Sequence, residues 1–270
     1  MRRFLWVIVA GVVALGLMST YAHAEGYISI GAGQSFSGSV NDYEAEQCIG
    51  FIFCDNVVVQ SGSDLDTDSA LALGGKIGYF VDTPSLAWLG FEFQYFQRKL
   101  NVSRQAWSVN GSQTSVMVPT LPFNGQAEIE MDALKTFAFF LMFRIPPKIV
   151  DEYLLGRMEP YFGFGFSVNQ VEIGPMRLFD SAGNPVSTNL FNESTVGLGF
   201  VISLGMNFKI HDRWKLYGEY KHAEAFFPFP FTTLNDFDLQ TSGPELHPSL
   251  DITDNIFMFG VTFTFGSTGS

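Results

Sequence analysis

Between Val196 and Phe208 seven apolar residues occupy alternate positions without a break: Val196, Leu198, Phe200, Ile202, Leu204, Met206 and Phe208. Gly197, Gly199, Ser203, Gly205 and Asn207 share the other parity. A helix would scatter this pattern around its circumference, whereas a strand sorts it onto one greasy and one small, wet face. Tyr161 to Asn169 repeats it, with Phe162, Phe164, Phe166 and Val168 against Gly163, Gly165, Ser167 and Asn169. Small residues on the inner face suit a narrow closed sheet in which larger side chains arrive from neighbouring strands.

Hydrophobic residues make up 47% of the 270, and Phe alone contributes 29. After the first 24 residues, however, no stretch approaches the roughly 20 apolar residues of a membrane helix. Apolarity spread over many short alternating elements is the pattern of a transmembrane β-barrel. The alternation predicts eight strands, near 27–38, 68–81, 88–100, 128–145, 159–172, 194–209, 214–226 and 252–265. Connections alternate between long and short. Asp82-Thr83-Pro84-Ser85, Pro146-Pro147 and His211-Asp212-Arg213 serve as the short turns. The expected fold is therefore all-β: a closed antiparallel barrel of about eight strands, long loops outside and both termini in the periplasm.

Residues 1–24 read as a signal peptide, with Arg2 and Arg3 before an apolar run from Phe4 to Leu17 and an Ala22-His23-Ala24 cleavage site. The barrel domain is then residues 25–270. Cleavage removes two of the 15 basic residues and none of the 27 acidic ones, leaving a formal net charge of −14. A surface this acidic argues against nucleic acid as a partner, because neutralising phosphates takes clustered Lys and Arg. Cys48 and Cys54 lie in a polar stretch of an exported chain, which points to a loop disulfide. A metal pair or redox dithiol would want C-x-x-C spacing and a nearby His. No glycine-rich phosphate loop or Cys/His cluster implies a cofactor.

Placing Leu216, Gly218 and Tyr220 on the lipid side sends Lys215, Tyr217, Glu219 and Lys221 inward, and the same parity sends Lys76, Glu92, Arg98, Glu130, Asp132 and Arg144 inward. Opposite charges buried together satisfy one another, so these residues form a polar plug or, alternatively, line an ion path. His222 and Glu224 stand two apart on one strand face. They are either an acid/base pair of a lipid-modifying enzyme or an interfacial pair beside lipopolysaccharide headgroups. Asp64, Asp66 and Asp68 alternate on one face and read as a weak divalent-cation site or a solvated acidic rim. Phe226-Phe227-Pro228-Phe229-Pro230-Phe231 reads as an exposed contact patch or as part of an aromatic girdle, with the loop Asn101–Gly125 beside it.

The final strand, Ile256 to Phe265, looks like the C-terminal β-signal by which outer-membrane barrels are recognised for insertion. Gly260 is followed by aromatics at the third and fifth places, Phe263 and Phe265. With Tyr217-Gly218-Glu219-Tyr220-Lys221, the chain resembles the OmpA-like outer-membrane β-barrel domain family of small eight-stranded proteins. The resemblance implies a Gram-negative-type outer membrane and contact with the insertion machinery and with lipopolysaccharide. It also implies a non-catalytic role in envelope integrity and in binding surface ligands through loops. OmpA itself adds a periplasmic peptidoglycan-binding domain; here Gly266–Ser270 alone follow the last strand, so cell-wall anchoring is not expected. The alternatives are a lipid A deacylase or acyltransferase, and a narrow pore or hydrophobic-ligand conduit.

Overall fold

A computed structural model describes residues 24–48, 57–62, 64–81, 83, 85–112, 123–145, 157–187, 193–228 and 249–265. Among the described residues there are thirteen strands: β1 (Ala24–Cys48), β2 (Val57–Gly62), β3 (Leu65–Asp66), β4 (Ala70–Val81), β5 (Leu89–Lys99), β6 (Val102–Ser112), β7 (Phe123–Met131), β8 (Ala133–Arg144), β9 (Met158–Phe179), β10 (Pro185–Ser187), β11 (Glu193–His211), β12 (Trp214–Pro228) and β13 (Ser249–Phe265). Eight of them, β1, β4, β5, β8, β9, β11, β12 and β13, pair antiparallel in chain order, and β13 pairs back onto β1 to close the barrel. Closure leaves no unpaired edge for lipid to meet.

The other strands lie where long loops were expected. β2 continues the wall above β4, β6 continues β5, and β7 leads into β8, so that β1, β2, β6, β7 and β9 pair side by side in a second tier at the loop end. The loop reading of 101–125 is thus corrected over Val102–Ser112 and from Phe123 onward. Likewise Phe226, Phe227 and Pro228 belong to β12, with Phe226 outside and Phe227 buried inside, while Phe229 and Phe231 lie outside the described residues. These segments lack strong alternation, and their pairing comes from neighbouring strands that already stand at the right spacing.

Irregularities gather where the two tiers meet. β1 bulges between Phe36 and Ser39, with Ser37 at a φ of 53°. The chain breaks strand at Leu100 and Asn101 and at Asp132. Backbone bonds across the joint, Thr67 N to Gly38 O at 2.9 Å, Asp68 N to Asn101 O at 2.7 Å and Asp132 N to Glu172 O at 2.8 Å, keep the freed groups paired. Beyond it, the β9–β10 turn is held by Asp180, whose carboxylate accepts hydrogen bonds from the backbone of Ala182 and Asn184 and from the Asn184 amide. Those bonds hold its pKa below the ordinary carboxylate range.

The outer wall is apolar, with Ile30 and Phe166 each 71% exposed, and the turn end carries paired rings, Trp88 stacked on Phe143 and Trp214 tilted against Phe263. Such an apolar band with an aromatic girdle matches a bilayer. The interior is filled by side chains in two apolar clusters. One, near the loop end, includes Leu100, Val102, Ile129, Met131, Leu134 and Phe227. The other lies nearer the turn end and includes Phe96, Phe140, Tyr161, Tyr217 and Met258. Gly31 and Gly260 make room for Tyr217, since a Cβ on either would stand within 2.6 Å of its ring or hydroxyl.

Candidate functional site

The charged residues of the interior form a continuous ladder along the barrel. At the turn end, Arg144 Nη1 and Lys215 Nζ bind Glu25 at 2.6 and 2.8 Å, and Lys215 also reaches Glu159 at 2.7 Å. Lys209 closes this layer on Glu159 at 3.0 Å. Above it, Tyr27 donates its hydroxyl proton to Glu92 at 2.7 Å, and Lys76 lies 3.7 Å from the same carboxylate. Lys76 also pairs with Glu219, to which Tyr161 donates at 2.8 Å, and its ammonium stands 4.2 Å from the centre of the Tyr217 ring. The other oxygen of Glu219 holds Lys221, which reaches Gln94 in turn. Highest in the ladder, Arg98 pairs with Asp254, and Ser35 donates to Asp254 at 2.5 Å. Thr136 links Arg98 to Asn169 through contacts of 3.2 and 2.8 Å.

Five buried cations (Lys76, Arg98, Arg144, Lys215, Lys221) face five anions (Glu25, Glu92, Glu159, Glu219, Asp254) among the described residues, and the half-buried Lys209 adds a further contact to Glu159 at the turn end. Balance matters because an unpaired charge held away from water costs several kcal/mol. Little room remains between them. Two cavities in this region, lined by groups such as Lys76, Glu92, Tyr161 and Lys221, have volumes of about 10 Å³ each, about the space of one water. Toward the loop end the ladder runs into the Leu100–Phe227 apolar cluster. Among the described residues this arrangement packs the interior charges against one another and against that cluster.

Two residues expected inside are not there. Glu130 is 56% exposed and Asp132 is exposed on the outer wall. Reading 128–145 as one strand carries the parity of β8 upward, but the break at Asp132 inserts a residue and turns the phase over, so that Met131 faces inward instead. Conversely, Asp254, Glu25 and Glu159 were missed. Asp254 shares the inward parity of Ile252, Ile256, Met258 and Thr262, so the alternation of the last strand held the signal. Glu25 and Glu159 lie at strand ends, where phase is not yet established.

His222 and Glu224 point away from the interior. His222 Nε2 lies 3.2 Å from Glu224 Oε1, and Nδ1 lies 3.0 Å from Asn255 Oδ1, which also accepts from Tyr220 at 2.6 Å. Both imidazole nitrogens are thereby engaged, and no Ser or Thr hydroxyl bonds to them among the described residues. Asp64, Asp66 and Asp68 are exposed at the tier joint. Ser103 donates to Asp68 at 2.7 Å, and no group of three metal-ligating side chains occurs among the described residues. Cys48 ends β1, whereas Cys54 lies outside the described residues. In the last strand Gly260 packs against Tyr217, and Phe263 and Phe265 face outward.

The family described as outer membrane protein beta-barrel domain matches residues 7–265. The chain belongs to this family. As a member, it is an outer-membrane β-barrel protein. OprG from Pseudomonas aeruginosa is 12% identical with a TM-score of 0.44, over 91% of this chain and 98% of that one. Neisserial surface protein A is 11% identical with a TM-score of 0.39, over 89% and 97%. The outer membrane protease OmpT from Escherichia coli is 9% identical with a TM-score of 0.36, over 89% and 97%. No curated protein sequence matches.

Proposed function

We propose that this barrel is a non-catalytic, non-conducting element of the outer membrane that supports envelope integrity and presents its β-structured loop end for surface binding. The observation that carries the reading is the interior: five charges of each sign locked in pairs, with cavities of about 10 Å³ between them. A barrel so filled spends its inner side chains on rigidity. In this reading the turn end and both termini face the periplasm, and the second tier projects outward.

Planar-bilayer recording of the refolded mature chain is expected to show no stepwise current; reproducible ohmic steps would establish a pore and overturn the reading. For orientation, Ser181→Cys in the exposed β9–β10 turn should react with a membrane-impermeant maleimide on intact cells above the wild-type background. Labelling only after the envelope is opened would invert the topology. His222 faces outward with its ring nitrogens engaged by Glu224 and Asn255, and no Ser or Thr hydroxyl bonds to them among the described residues; this supports a positional role, so His222→Ala should leave the acylation pattern of lipid A in the host unchanged.

A further inference from the structure

Above the Tyr220–Phe257 ring pair of the outer wall, a short hydrogen-bond network ties three strands together. Asn255 on β13 is its hub. The Asn255 amide nitrogen donates to the Ser37 carbonyl of β1 at 3.0 Å, and because a carbonyl can only accept, this bond fixes which end of the amide is oxygen. That oxygen accepts from the Tyr220 hydroxyl at 2.6 Å and faces His222 Nδ1 at 3.0 Å. The other ring nitrogen of His222 faces the Glu224 carboxylate at 3.2 Å. Both nitrogens therefore look at acceptors. A neutral imidazole has one N–H and satisfies one of them, whereas the imidazolium satisfies both.

The backbone that this network grips is itself under constraint. Ser37, at a φ of 53°, holds a left-handed conformation that a residue with a Cβ keeps only where its surroundings impose it. It lies in the bulge between Phe36 and Ser39, where β1 passes from the barrel into the second tier. Thr67 N grips the same bulge through the Gly38 carbonyl at 2.9 Å, and Asn255 grips it through Ser37. Few charges surround the ring. Among the described residues Glu224 is the charged group in contact with it. On β13, Asp254 turns inward to Arg98, and Asp251 stands four residues beyond Asn255. On β12, Lys221 turns inward to Glu219. β11 presents apolar groups, Ile202 opposite the ring with Phe200 and Leu204 beside it, and β1 presents the Ser37 carbonyl. The side chains of His222 and Glu224 are each 32% exposed, so the ring exchanges protons with the medium.

We propose that His222, Glu224 and Asn255 form a proton-operated clasp across β12, β13 and β1, closed on the Ser37 bulge while the imidazole carries two protons and released when it gives one up. Loss of the Nε2 proton turns a lone pair toward the Glu224 carboxylate and drives the ring off Asn255. Loss of the Nδ1 proton turns a lone pair toward the Asn255 oxygen, and the amide that swings to answer it lets go of Ser37. The clasp therefore holds in acid and is lost as the pH rises through the titration of the imidazolium. Its action does not depend on which way the barrel faces, so it and the orientation given above fail separately. The test is hydrogen exchange read by mass spectrometry on the refolded mature chain, with variants compared at the same pH so that intrinsic exchange rates cancel. In the peptide covering residues 34–41, His222→Leu should exchange about tenfold faster than the wild type near pH 5.5, as loss of a charge-assisted contact allows, and at the wild-type rate near pH 9. Glu224→Gln should stay as protected as the acid wild type at both pH values, because a Gln amide can donate to the bare nitrogen of a neutral ring. All variants should keep the heat-dependent gel shift, since the substituted side chains face outward. Equal exchange of His222→Leu and the wild type in acid, an advantage of the wild type that persists undiminished near pH 9, or a Glu224→Gln chain that loosens there as the wild type does, would overturn the proposal.

Discussion

Glu219→Ala should destabilise the barrel by about 3–5 kcal/mol, measured by urea unfolding after refolding into lipid vesicles. The carboxylate joins Lys76, Lys221 and the Tyr161 hydroxyl, and all four groups are buried. Its removal leaves two ammoniums deep in the barrel with Glu92, 3.7 Å from Lys76, as the remaining counter-charge. Replacing Glu219 and Lys221 together by Met removes one charge of each sign and leaves Lys76 facing Glu92. That double variant should recover most of the loss, because the penalty comes from the unbalanced charge. A Glu219→Ala barrel as stable as the wild type would mean that water already solvates the ladder, and the plug reading would fall with it.

The second large effect is expected at the seam that closes the barrel. Gly33 stands opposite Met258 where the first and last strands pair, and a Cβ there would lie 1.8 Å from the Phe257 carbonyl oxygen and 2.7 Å from the Met258 Cα. Backbone on a neighbouring strand cannot step aside as a side-chain tip can. Gly33→Val therefore has to part β1 from β13, breaking ladder hydrogen bonds that lipid cannot replace. Overpacking and the lost bonds together should cost about 3 kcal/mol or more. On an unboiled gel the compact, heat-modifiable band should be largely lost. Gly75→Ala is the matched control. Its Cβ would meet only the Ser29 carbonyl, at 3.3 Å, so it should refold much as the wild type does. If Gly33→Val closes normally, the seam is looser than this packing implies.

How far the fold could be read in advance depended on the length of uninterrupted alternation. From Val196 to Phe208 lipid demands one parity and a crowded interior the other, so sequence and wall agree residue by residue. The same logic places Lys76, Glu92, Arg98, Arg144, Lys215, Glu219 and Lys221 inside, where the structure has them buried. It misplaced Glu130 and Asp132 because a one-residue break at Asp132 reverses the phase, and nothing in the letters of 128–145 announces that break. The second tier was illegible for a related reason: beyond the membrane no solvent enforces alternation, and β2, β6 and β7 are defined by the strands beside them.

By itself, the sequence determined the all-β class, the eight transmembrane staves and the sign of most interior charges. These follow from matching side chains to lipid on one face and to a narrow interior on the other, and that matching is local. Tertiary structure alone decided which charges pair, that Asp254 answers Arg98 and that Glu25 answers Arg144 and Lys215. Those relations depend on strand register and on closure of β13 onto β1, which bring together residues more than 200 positions apart, such as Ser35 and Asp254. Alternation fixes the face of a residue, whereas only the closed ring fixes its neighbours.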